Sequence, residues 1–297
     1  MILITGGSGQ LGQELVKLCT AQGLAFQAVS RPEFDFEQPS TIDACFHAAR
    51  PTLVINAAAY TAVDKAETDE QAARAGNHTG PQHLAQLCEA ANIPLIHIST
   101  DYVFDGAKAA PYLESDPTNP TGVYGATKRD GEAAILQTTA AHAIILRTAW
   151  VYAAHGKNFA RTMLAAARRV PTLRVVADQR GTPTAAADLA AAILHIASRL
   201  RQTGWRPEYR GIFHATGSGE TTWHGFATAI FEAAAPRQKP PELQPITTAD
   251  WPTPARRPAD SRLDCAKLAQ VFGVTLPAWQ ASLGPIVQQL LDLDPPS

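Results

Sequence analysis

Met1-Ile2-Leu3-Ile4-Thr5-Gly6-Gly7-Ser8-Gly9-Gln10-Leu11-Gly12 opens the chain. Residues 1–5 read as a buried strand. From Leu11 onward Leu11, Leu15, Leu18 and Cys19 recur at helical spacing, so a glycine turn joins a strand to a helix. Gly6 and Gly9 would let the backbone turn tightly and approach a pyrophosphate. Gly12 would let the helix pack close to the strand, with the helix N-terminus facing the phosphates. The spacing is G-x-x-G-x-x-G rather than G-x-G-x-x-G, and a plain strand-to-helix turn is the competing reading.

The same alternation continues outward. Strands are expected at about 24–29, at 52–56, from Ile93 to Ile98 and from Ala143 to Leu146. Between them lie helical stretches at 69–91, with a break or offset at Gly76 and Pro81, and at 122–139. Strand–helix alternation with short connections predicts a right-handed, doubly wound parallel sheet of the Rossmann type, an α/β fold. After Trp150 the pattern loosens. Helices are expected at 156–169, at 184–201 and from Trp223 to Ala234, a strand from Gly211 to Ala215, and an amphipathic helix at the end. Pro236, Pro240, Pro241 and Pro245 mark an extended or mobile connection. Residues 1–150 are thus expected to form the dinucleotide-binding domain, and 151–297 mainly a smaller substrate-binding lobe whose chain crosses back to the sheet.

Composition narrows the class. With 297 residues, 45% hydrophobic, 18% charged and a formal net charge of -2, the chain can bury a large core and has no nucleic-acid or membrane-binding charge pattern. No leader or apolar run of membrane-spanning length is visible, so a cytoplasmic protein is expected. The widely spaced Cys19, Cys45, Cys88 and Cys265 read as reduced thiols. The 9 histidines show no metal-ligand spacing, and no metal site is expected.

Chemistry gathers at strand ends. Ser30-Arg31 follows the second strand, where an NAD-preferring site often places an acid; a hydroxyl and a guanidinium suit a 2′-phosphate, which points to NADPH, with NADH the alternative. Asp35 and Phe36 could flank an adenine. Asn56-Ala57-Ala58-Ala59-Tyr60-Thr61 ends the third strand in small residues that leave room for a ligand. Tyr124-Gly125-Ala126-Thr127-Lys128 places a phenol and an ammonium one helical turn apart. At ~5 Å and an effective dielectric of ~20, that charge would favour the phenolate by roughly 3 kcal/mol, lowering the phenol by about two pKa units. Arg180 and Arg257 are each either a donor to a substrate diphosphate or a solvated charge. Trp150 has a core reading beside a functional one.

The glycine loop, Asn56-Ala57-Ala58-Ala59, Ser99-Thr100 and Tyr124-x-x-x-Lys128 together resemble the extended short-chain dehydrogenase/reductase superfamily. Residues 56–67, 99–106, 147–152 and 221–224, with Arg257-Pro258-x-x-Ser261-x-Leu263, are similar to the dTDP-4-dehydrorhamnose reductase family within it. That resemblance implies reduction of the C4 keto group of a dTDP-linked 6-deoxyhexulose by NAD(P)H, the last step of dTDP-L-rhamnose synthesis. Tyr124 is implied as the acid, with Lys128 as its partner and a ligand of the nicotinamide ribose. Thr100 is implied to polarise the sugar carbonyl, and Asp101 and Trp150 to line the substrate pocket. Gly9, Gln10 and Leu11 are implied at the pyrophosphate, and Asp35, Phe36, Ala59, Tyr60 and Thr61 along the rest of the cofactor. Some relatives dimerise through Mg²⁺ held by glutamates. Glu14 matches one of these positions, but Ala187 stands at another, so interfacial Mg²⁺ is not carried over, and monomer and homodimer both stay open. A nucleotide-sugar epimerase or dehydratase, which would recycle its NAD⁺, and a non-catalytic NADP-binding subunit are the alternative readings.

Overall fold

A computed structural model describes residues 1–138 and 142–293. Six parallel strands form the central sheet: β1 (Ile2–Thr5), β2 (Phe26–Val29), β3 (Leu53–Asn56), β4 (Leu95–Thr100), β5 (Ala143–Thr148) and β6 (Gly211–His214), in the spatial order β6-β5-β4-β3-β1-β2. Successive side chains of a strand point to opposite faces, and here both faces are dry. Ile4, Ile55, Ile96, Ile144 and Leu146 meet the helices Gln10–Ala21 and Ala186–Thr203 on one side. Leu3, Val54, Leu95 and Ile145 meet Pro39–Ala49 and Gly80–Ala90 on the other, where the helix Val123–Gln137 also packs. Each such side chain contributes roughly 1.5–3 kcal/mol of burial, which is why the strands read as continuous apolar runs.

From β1 the chain steps one way to β2 and then back past β1 to β3, so the strand order reverses beside β1. A crevice therefore opens at the carboxyl ends of the strands. Gly12 belongs to the scaffold under that crevice. A Cβ there would lie 2.1 Å from the Gly6 carbonyl oxygen, so the first helix can approach the turn only because residue 12 has no side chain.

The chain does return to the sheet after residue 150. β6 extends it beyond β5, and Ala186–Thr203 lies along the first helix. The rest of that half has its own core, in which Tyr152, Phe226, Ile230, Trp279 and Leu283 pack together. One expectation changes and another gains its detail. The proline-rich stretch contains a strand, Glu242–Ile246, paired in parallel with Thr172–Val176; Pro245 fits because a two-stranded ribbon leaves one edge of each strand free. The stretch 69–91 is Glu70–Arg74, a π-helical turn Ala75–Thr79 and then Gly80–Ala90. The extra residue turns Asn77 sideways, where it bonds the Tyr60 backbone N–H (3.0 Å) and carbonyl (3.1 Å) and the Thr127 hydroxyl (3.2 Å). The helix expected over 122–139 runs Val123–Gln137, and residue 139 lies outside the described residues. Its first turn is held from outside: Glu67 Oε1 accepts the Val123 N–H at 2.9 Å, a negative group at a helix N-terminus.

Replacing Gly12 with Ala forces the first helix off the turn. Denaturant unfolding should show a loss of about 1–3 kcal/mol; a change below about 0.5 kcal/mol would mean the helix has slack.

Candidate active site

The crevice is a cleft of about 680 Å³. At its centre are Gly6, Gly9, Gln10 and Leu11 from the turn and the start of the first helix. One arm runs to Ser30, Arg31, Asp35 and Phe36, with Ala59, Tyr60 and Thr61 along the side. The other arm ends at Thr100, Asp101, Tyr124, Lys128 and Trp150. Residues from six separate stretches are brought together. Three candidates are not among the lining residues: Gly12, Arg257 and Arg180, the last an exposed residue whose backbone bonds Ala259 and Ser261. Gly12 sits beneath Gly6 as described. Arg257 grips Asp64 through two bonds of 3.1 and 2.9 Å, so its guanidinium is already occupied by a carboxylate.

In the first arm the Ser30 hydroxyl accepts the Ser8 N–H at 2.9 Å and keeps its own hydrogen free to donate. Arg31 is exposed and 3.6 Å from Glu37, an acid that the sequence reading did not single out. Asp35 spends one carboxylate oxygen on the Glu37 N–H (3.0 Å), closing a local turn. Phe36 is buried with its ring against Gly80, so it forms a wall and not a loose flap.

In the second arm Tyr124 is half-buried, and its loss of water pushes the phenol up to about 12; the Thr100 hydroxyl pulls it back and the Asp101 charge adds to the rise. This corrects the expected lowering by Lys128. The ammonium does not spend itself on the phenol: Lys128 Nζ donates to the Ile98 carbonyl at 2.6 Å and lies 3.4 Å from His97 Nε2. Burial brings Lys128 down to about 8, with the Glu132 carboxylate opposing. The phenol is therefore a firmly protonated acid in this structure. Thr100 Oγ1 accepts the Tyr102 N–H (3.2 Å) and donates to Asp101 Oδ1 (3.0 Å). Asp101 itself is buried and pushed up to about 6 by loss of water, and its Oδ2 has no partner among the described residues.

The Tyr124 helix is locked to the sheet by a buried ion pair. Glu132 takes Arg147 in a fork, with bonds of 2.9 and 2.6 Å, and also accepts the Ser99 hydroxyl. Phe104 covers the Arg147 guanidinium, which lies 4.9 Å from its ring centre. Trp150 closes this end. Its backbone is left-handed (φ 47), and its indole lies flat on Trp223 at 3.5 Å, with Gly181 pressed against the ring. It both lines the cleft and packs against Trp223.

Sequence reasoning missed Thr148 and Lys157, which also line the cleft. Thr148 was legible as the residue in register with Thr100 once β5 was extended by two residues. Lys157 carries no local signal; only the loop after β5 brings it across to Gln10. The buried Gln10 Oε1, Thr148 Oγ1 and Asp101 Oδ2 all lack partners among the described residues, and all three belong to the cleft. Three unpaired buried oxygens along the cleft suit a ligand with hydroxyl or amide donors, while the glycine turn and helix N-terminus suit its phosphates.

The family model described as the RmlD substrate binding domain matches residues 1–291. The chain belongs to that family. A curated member from Sinorhizobium fredii, named dTDP-4-dehydrorhamnose reductase, is 43% identical over 98% of this chain and 97% of its own. The crystal structure of a dTDP-4-dehydrorhamnose reductase from Clostridium acetobutylicum matches with TM-score 0.89 and 35% identity, over 97% of this chain and 99% of that one. A Bacillus anthracis dTDP-4-dehydrorhamnose reductase in complex with NADP matches at 0.88 and 30%, over 97% and 98%. As a member of this family the chain is an oxidoreductase that uses a nicotinamide dinucleotide. Among the described residues no helix is long and apolar enough to cross a membrane, and no cluster of side chains could hold a metal ion.

Glu132→Ala strands Arg147 in a dry interior, and unfolding should be easier by roughly 3–5 kcal/mol. The double variant Glu132→Leu/Arg147→Met should recover much of that. If the single variant is as stable as the parent, the pair does not lock the helix.

Proposed function

We propose that Tyr124, Thr100 and Lys128 form the catalytic end of a dinucleotide cleft that reduces the C4 keto group of dTDP-4-dehydro-6-deoxy-L-mannose to dTDP-L-rhamnose. NADPH is the preferred reductant. One observation carries the reading: a half-buried, protonated phenol, a hydroxyl and a buried lysine converge at one end of a cleft whose other arm begins at a phosphate-type glycine turn. Residues 1–150 hold the dinucleotide, and 151–297 mainly the nucleotide sugar.

A bound nicotinamide supplies hydride to C4. As charge grows on the carbonyl oxygen, Tyr124 gives it a proton, and Thr100 stabilises it by hydrogen bond after turning away from Asp101. The raised affinity of Asp101 for a proton suits a group that meets sugar hydroxyls in a dry pocket. Lys128 supplies positive charge near the phenol as Tyr124 becomes a phenolate. Lys157 and the helix N-terminus favour the pyrophosphate, and Trp150 the apolar C6 end of the sugar. Ser30 and Arg31 are donors suited to a 2′-phosphate.

An assay supplying the 4-keto sugar nucleotide and following NADPH absorbance, with the product identified, tests the whole. Recycling of the cofactor without net oxidation would reject it. Tyr124→Phe should leave NADPH affinity within about twofold and lower kcat by roughly 10²–10⁴; a kcat near the parent's would remove the acid role. Since Lys128 loses its proton at about 8, kcat should fall as pH rises through that value. Arg31→Ala should weaken NADPH more than NADH, and equal losses would cancel the 2′-phosphate argument.

A further inference from the structure

Thr5, Asn56 and His97 stand side by side on β1, β3 and β4, because the register pairs Thr5 with Asn56 and Asn56 with His97. All three are fully buried. Their hydrogen bonds have a determined direction. The Ala58 N–H can only donate, and it points at Asn56 Oδ1 at 3.1 Å; the Thr5 hydroxyl donates to the same oxygen at 2.6 Å. That oxygen is therefore the amide carbonyl, and Asn56 Nδ2 donates to His97 Nδ1 at 2.8 Å.

His97 is held well below its ordinary pKa, first by loss of water and then by the Lys128 charge, so its ring is neutral. A neutral imidazole that accepts at Nδ1 carries its hydrogen on Nε2. That Nε2 lies 3.4 Å from Lys128 Nζ. An ammonium has three donors and no lone pair, so it cannot accept this N–H; a neutral amine can.

We propose that His97, fixed by Asn56 in its Nε2–H tautomer, is a positioning residue that offers Lys128 a donor and so favours release of the lysine's proton. The released proton restores Tyr124 after turnover. One Nζ–H bond breaks and one phenolic O–H bond forms, and an ammonium and a phenolate become an amine and a phenol. The Ile98 carbonyl holds the amino group in place in either state.

Other charged and titratable groups surround this array. The helix of Lys128 carries Tyr124, Arg129, Asp130 and Glu132; β5 carries Arg147; Asp101 follows β4. The stretches packed on the helix's outer side carry Asp64, Lys65, Glu67, Asp69, Glu70, Arg74 and His78. Of these, Glu132 favours the ammonium, though Arg147 partly neutralises it; Arg74 and Asp130 pair with each other at the surface, and Asp64 with Arg257. None of them orients His97, whose ring nitrogens face Asn56 and Lys128.

Two measurements on the substrate-free full chain test this. In protein labelled with ¹⁵N-histidine, long-range ¹H–¹⁵N correlation at neutral pH should show His97 as the Nε2–H tautomer. The Nδ1–H tautomer, or a charged ring, would overturn the proposal whatever any variant does. The ionisation of Lys128 is then read from ¹³Cε-labelled lysine, assigned with Lys128→Met. His97→Phe keeps a ring and removes the donor, and should raise the titration midpoint by about half to one pH unit. Asn56→Asp retains the bonds from Ala58 and Thr5 but accepts from Nδ1–H, turning an acceptor toward the lysine; it should raise the midpoint further. A midpoint unchanged or lowered in either folded variant would sink the idea. The consequence for turnover rests on the catalytic reading of Lys128 given above. If the midpoint moves and the alkaline limb of kcat does not, that catalytic reading fails while the role of His97 in setting the lysine's ionisation stands.

Discussion

Lys128 carries its amino group into a region with almost no water, being 1% exposed, and much of the carboxyl edge of the sheet is arranged around that charge. An isolated buried ammonium is costly enough that it would rather give up its proton. What holds it here is specific: a strand carbonyl at 2.6 Å, and a carboxylate one turn along the same helix whose own charge is shared with Arg147 and Ser99. Each partner lies on β4, on β5 or on the lysine's own helix. The position of the catalytic helix and the ionisation of its lysine are thus one problem with one solution.

The parallel sheet makes that solution compact. Residues in register on adjacent strands are near neighbours, so three strand ends can present a row of polar groups across a dry interior. Thr5, Asn56 and His97 form one such row, and Thr100 with Thr148 another. Apolar residues immediately before these positions bury the sheet on both faces; the first row stays buried beneath the cleft, while Thr100 and Thr148 line it. Stability and chemistry are separated by only two or three residues along each strand. The π-helical turn at Ala75–Thr79 serves the same purpose from outside, since Asn77 ties the Tyr60 loop to Thr127 on the Tyr124 helix.

Much of this was legible in the chain. The strand–turn–helix opening carries its own physical signal, because apolar period, glycine placement and helix start agree. The four later strands and the cleft-lining residues at their ends followed from the same alternation. Other features were opaque for identifiable reasons. Pro245 argued against a strand because propensity is local, whereas the ribbon with Thr172–Val176 depends on a distant partner. Arg257 read as either a diphosphate donor or a solvated charge because no partner is near it in sequence; Asp64, nearly two hundred positions earlier, is the group that occupies it. Lys157 reaches the cleft through the loop after β5, whose neighbouring His155 meets the Gln10 carbonyl.

The Tyr124–Lys128 pair marks the division. Its spacing and its place on a helix after the fourth strand were set by sequence, and so was the choice of Tyr124 as the acid proposed here. The state of that acid was not. Spacing alone argued that the ammonium would lower the phenol, since a charge one turn away is all that a sequence can show. The fold instead removes water from both groups, which pushes the phenol up and the lysine down, and directs the lysine's hydrogens to Ile98. Which residues do chemistry is a property of order along the chain; which protons they hold depends on burial and on partners from other strands, and those exist only once the sheet is built.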